Sequence, residues 1–69
     1  MSKVNRVQRV IEGILRDDDN HRVVAKWSDK ERKRAMADTK ELLMQECGRI
    51  GEAAFLKLYA KYDKEASHV

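Results

Sequence analysis

Apolar residues recur at three- and four-residue spacing almost from the first residue. Val4, Val7, Ile11 and Ile14, joined by Val10 and Leu15, make one stripe and predict a helix over about residues 3–16, with Ser2 as its cap. The run Asp17, Asp18, Asp19, Asn20 then interrupts the stripe. All four side chains compete for local backbone hydrogen bonds, which predicts a turn at about 17–20. Val23, Val24 and Trp27 fall on one side of a short helix over about 21–27, in which Trp27 is expected to anchor a corner of the core. A strand is the other reading of this segment, but no second strand is in sight to pair with it. Ser28 and Glu31 have the spacing of a capping box and open a long helix over about 29–65. Along it Met36, Leu43, Cys47, Ile50, Ala54 and Leu58 stay in phase, and Met44, Gly51, Phe55, Tyr59 and Tyr62 widen the stripe. An apolar face that wide buries against more than one neighbour.

Gly48 and Gly51 decide what the long helix does, because each costs about 1 kcal/mol in a helix interior. In one reading the helix ends near Cys47 with Gly48 as a left-handed cap and restarts at Glu52, giving a helical hairpin. In the other it runs through, since the stripes on either side of the glycines align only in a continuous helix. Such a helix, of about 38 residues and roughly 57 Å, is too long for the N-terminal elements to cover, so a second copy of the chain buries the remainder. A further line, Ala35, Leu42, Arg49 and Leu56 at sevenfold spacing, lies on the far side beside Ala53 and Ala60. It leaves Leu42 and Leu56 exposed in a monomer and suits another helix. The expected fold is all-α: short N-terminal helices packed on a long C-terminal helix, continuous or broken near Gly48–Gly51, in a homodimeric helical bundle.

Size and composition narrow the picture further. A chain of 69 residues makes one domain at most, and it removes only about 60% of its unfolded surface from water, so outside support such as oligomerisation is expected. Cys47 is the single cysteine, and His21 and His68 stand apart, which leaves neither an internal disulfide nor a zinc set. The aspartate run fails as a calcium loop, because Arg22 falls where the turn glycine belongs and Ser28 where the bidentate Glu belongs. Proline is absent. No apolar run approaches the ~20 residues a membrane span needs and no apolar leader opens the chain, so a cytoplasmic protein without membrane contact is expected.

Charge adds candidate chemistry. The net charge is +3, yet up to Arg34 there are ten Lys or Arg against six Asp or Glu, so the positive potential is N-terminal. Arg6, Arg9 and Arg16 share the face opposite the first apolar stripe, with Gly13 between them. A second cluster, Lys26, Lys30, Arg32, Lys33 and Arg34, surrounds the start of the long helix. Both are ordinary solvated faces in the bland reading and anion contacts in the sharper one. With no phosphate loop, no nucleophile paired to a base and no metal set, neither an enzyme nor a cofactor is expected. Two functions remain. The first is a non-enzymatic interaction module, homodimeric, that docks on a larger protein and modulates or inhibits it through Leu42, Arg49, Ile50, Ala54, Phe55, Leu56, Leu58, Tyr59 and Tyr62. The second is a small basic DNA- or RNA-binding regulator contacting phosphates through the eight cations named above.

Overall fold

The computed structural model describes residues 3–63, with side-chain burial from residue 6 onward. The chain forms α1 (Lys3–Val24), α2 (Asp29–Ile50), α3 (Glu52–Leu58) and a 3-10 turn at Ala60–Tyr62. Everything described is helix, turn or cap, with no strand among these residues. The cap expected at Ser2 and the stripe position expected of Val4 lie outside the described side chains, as do the last two residues of the helix expected to reach 65.

The turn expected at 17–20 and the separate short helix expected at 21–27 are replaced by one helix of 22 residues. The aspartates do not break it because each finds a partner. Asp18 pairs with Arg22 one turn later, Asp19 receives the Arg32 guanidinium from α2 at 2.8 Å, and Asp17 accepts the Tyr62 hydroxyl at 2.8 Å. A residue that would bond its own backbone in isolation is held in the helix by a better acceptor role elsewhere, so tertiary contacts override propensity.

α1 ends in a Schellman motif. The Trp27 N–H donates to the Arg22 carbonyl and the Lys26 N–H to the Val23 carbonyl, both at 3.0 Å, with Lys26 in the left-handed conformation at φ 64°. That position favours glycine, and an L side chain there costs on the order of 1 kcal/mol. α2 then starts as its sequence requires: the Glu31 N–H donates to Ser28 Oγ at 3.2 Å, and the Ser28 hydroxyl donates to Glu31 Oε1 at 2.8 Å.

The long helix expected over 29–65 is broken, and the break is at Gly51 rather than Gly48. Gly51 adopts φ 92°, ψ 154°, a conformation that L side chains rarely adopt, and this one residue caps both helices. Its N–H donates to the Cys47 carbonyl at 2.8 Å, and its own carbonyl accepts from the Phe55 N–H at 3.0 Å. Helix α3 restarts at Glu52 in a new direction. The phase argument for a continuous helix fails because the turn re-aims the second stripe onto the same core.

That core joins Val7, Val10, Ile11 and Leu15 of α1, Leu43 of α2, and Phe55 and Leu56 of α3. Val10 and Phe55 are fully enclosed. Ile14, Met36, Cys47, Ile50, Tyr59 and Tyr62 pack around them, half-buried. The aromatic pair Phe55–Tyr59, with ring centroids 4.9 Å apart, closes the α3 side. Gly13 is explained here as well. A Cβ at this position would stand 3.3 Å from Tyr62 Cδ1, so the bare backbone lets the tyrosine ring lie against α1.

The two glycines that looked equivalent in sequence are expected to respond oppositely to alanine. Gly48 lies within α2 with nothing near its missing Cβ, so Gly48→Ala should stabilise the fold by up to about 1 kcal/mol. Gly51→Ala should destabilise it by about 1–3 kcal/mol, because alanine resists the backbone conformation. Urea unfolding followed by helical circular dichroism reads both signs.

Candidate functional site

Seven hydrophobic residues are buried, and six large ones remain exposed among the described residues. For so small a core that is a near-even split. The exposed six are not spread evenly: Val23, Val24 and Trp27 belong to one corner, the Schellman turn joining α1 to α2. Val24 is 81% exposed and Trp27 44%, which corrects the expectation that Trp27 anchors the core. The indole instead carries the Arg22 guanidinium at 5.3 Å from its ring centroid, in the place where a Schellman motif commonly sets a hydrophobic contact. Arg22 is also held by Asp18, so the ring is supported from α1 without being covered.

Cations around this corner are of two kinds. Arg32 is spent internally, on Asp19 at 2.8 Å and on Asp29 at 3.1 Å. Lys26, Lys30, Lys33 and Arg34 are exposed, and no ion pair joins them to a described carboxylate. At the start of α2 the serine and glutamate of the cap engage one another, and the Glu31 N–H is bonded to the serine.

The three arginines expected to share an outer face divide. Arg6 makes a bidentate pair with Asp63, Nε donating to Oδ1 at 3.0 Å and Nη2 to Oδ2 at 2.6 Å, and Asp63 is 2% exposed. That pair ties the end of the 3-10 turn to α1. Arg9 and Arg16 border a cavity of about 430 Å³ with Glu12, Lys61 and Tyr62, one turn on either side of Gly13. The Lys61 ammonium lies over the Tyr62 ring at 5.7 Å. Going from Arg9 to Val24 along α1 covers about 20 Å, so the two clusters of cations named from the sequence stand apart on the fold.

The residues expected to form one partner face also separate. Leu42 and Leu58 are exposed, at 65% and 62%, while Leu56 is buried at 8% and Phe55 completely. The sevenfold line from Leu42 through Arg49 to Leu56 does not survive the turn at Gly51. Ala54 and Arg49 are exposed and Ile50 is half-buried against the core. Tyr59 and Tyr62 are half-buried, and their hydroxyls are committed to Glu46 and Asp17, each at 2.8 Å. These bonds, with burial, hold both phenols above their usual pKa of 10, since ionising either would put two anions together. Burial, with Glu52 nearby, likewise pushes the Cys47 thiol up and keeps it in the poorly nucleophilic protonated form.

Among the described residues, no three His, Cys, Asp or Glu side chains gather as a metal set, and no helix is long and apolar enough to cross a membrane. Compared with models of known families, with curated proteins and with solved structures, the chain matches none. What it binds must be read from the surface itself.

The sequence spacing did carry one missed signal, since Asp18 and Arg22 stand four apart as helix neighbours do. The Asp19–Arg32 pair could not be read in this way, because it spans two elements. Its titration gives a test. The hydrogen bond from Arg32 holds the Asp19 carboxyl below its ordinary 3.8, so the pair stabilises the fold above that pH, and the stabilisation is lost as pH falls through the lowered value. Thermal melts from near neutrality down to about pH 2 should show the wild type converging on Asp19→Asn in acid. A constant gap between the two curves would contradict this linkage.

Proposed function

We propose that this chain is a non-enzymatic docking module that engages a larger protein through the corner joining α1 and α2. The observation that carries this reading is the exposure of Val23, Val24 and Trp27 at one turn, against seven buried hydrophobic residues among those described. A tryptophan held by an arginine and flanked by aliphatic side chains has the composition of an interface hot spot. Its turn is fixed by two backbone hydrogen bonds, so little freedom is lost on binding. By covering part of a partner, such a module modulates or inhibits it. Leu42, Met44 and Leu58 are separate exposed side chains that extend the contact only if the partner is large.

The break at Gly51 removes the uncovered helix length that was one ground for a homodimer, and docking as a single chain is the reading we favour. Contact with nucleic acid is the weaker reading, because Arg6 and Arg32 are engaged by Asp63 and by Asp19 with Asp29.

A photoactivatable residue replacing Val24 should crosslink a partner that the same group at Lys57 does not reach. With that partner purified, Trp27→Ala should weaken binding by roughly 30-fold or more and leave the melting temperature nearly unchanged. Equal crosslinking from both positions, or unchanged affinity, would exclude the corner.

A further inference from the structure

We infer that this corner receives a protein segment that is acidic around an apolar centre: its carboxylates meet Lys26, Lys30, Lys33 and Arg34 while a large apolar side chain packs on Val23, Val24 and Trp27. This rests on the docking reading and names its chemistry.

The first support is the backbone at Lys26. The Schellman motif puts this residue at φ 64°, where glycine is the relaxed choice, yet a long cationic side chain is displayed there at the tip of the turn. Strain of this kind is retained where the side chain has work outside the fold. The second support is how charge is sorted. Every aspartate near the corner serves the fold: Asp18 holds Arg22, and Asp19 and Asp29 hold Arg32. The cations left over are those of the turn and of the outer first turns of α2, and all are exposed. The exposed carboxylates on this surface, Asp29 and Glu31, are bonded to Arg32 and Ser28 and are outnumbered by the four cations, so the surface is net positive.

Other occupants fit less well. A second copy meeting this one symmetrically would set the four exposed cations Lys26, Lys30, Lys33 and Arg34 against the same four, with only Asp29 and Glu31 of each copy, already bonded to Arg32 and Ser28, to offset them. A nucleic-acid strand would want the indole face for stacking, and Arg22 already occupies one face of that ring. A lipid surface accepts the cations but makes no use of a ring clamped in a single orientation, whereas the apolar side chain of a protein segment does.

Display of random peptides of about a dozen residues on the immobilised wild-type protein tests this directly. Selection should enrich peptides that combine several Asp or Glu with a large apolar residue. Their binding should weaken steeply as salt rises, and should vanish with the double variant Val24→Asp, Trp27→Ala. The decisive variant is Lys26→Gly: it should raise the urea midpoint of the fold while weakening the selected peptides by about tenfold. Peptides that need Val24 and Trp27 but show no acidic enrichment, or that bind Lys26→Gly undiminished, would overturn the acidic partner and leave the docking corner standing. A selection that enriches nothing, or only peptides indifferent to Val24 and Trp27, would overturn both. A blue shift of Trp27 emission on phosphatidylserine vesicles, with no peptide enriched, would instead assign the corner to an anionic lipid surface and contradict the proposal. A Lys26→Gly protein no more stable than wild type would remove the strain on which the inference leans.

Discussion

One backbone conformation, Gly51 at φ 92° and ψ 154°, decides what this small protein can be. Without it, α2 would run on and carry Phe55 and Leu56 away from α1. With it, a segment of seven residues turns back and supplies two of the seven buried hydrophobic side chains, one of them fully enclosed. The turn also brings Tyr59 to Glu46 and Tyr62 to Asp17 and Gly13, and the Arg6–Asp63 pair fastens the end. A chain this short has little apolar area to spare, and the reversal lets one helix's worth of surface serve twice.

The same economy governs charge. The run of aspartates in the second half of α1 is unfavourable for the helix on local grounds, both by propensity and by its place toward the negative end of the dipole. Arg22, Arg32 and the Tyr62 hydroxyl convert it into a seam that joins α1 to itself, to α2 and to the 3-10 turn. Charges spent there are unavailable to a partner, which is why the basic surface is smaller than composition implies. What remains positive is the corner and the first turns of α2.

The helical class, the start of α2 at its Ser28–Glu31 cap and most of the α1 stripe were legible in the sequence, because caps and periodicity are local. Val7, Val10, Ile11 and Leu15 are buried as their spacing requires. Two features were not legible. The aspartate run reads as a turn until its partners, up to 45 residues away, are known. The phase of the apolar stripe across Gly48 and Gly51 reads as continuity, whereas α3 shows the same residues reaching the same core after a change of direction. The corner suffered from a related ambiguity: Val23, Val24 and Trp27 look like core from composition, and only the fold shows that they stand exposed among the described residues.

The function proposed depends on that last point, that the corner is open in the free protein and waits for a different molecule. Trp27 is the only tryptophan, so its fluorescence reports on this corner alone. Acrylamide quenching across a dilution series of the purified chain is the most direct measurement. An open corner should give red-shifted emission and efficient quenching that do not change with protein concentration. Blue-shifted, protected emission that moves to the red on dilution would mean that a second copy covers Trp27, and would contradict the account.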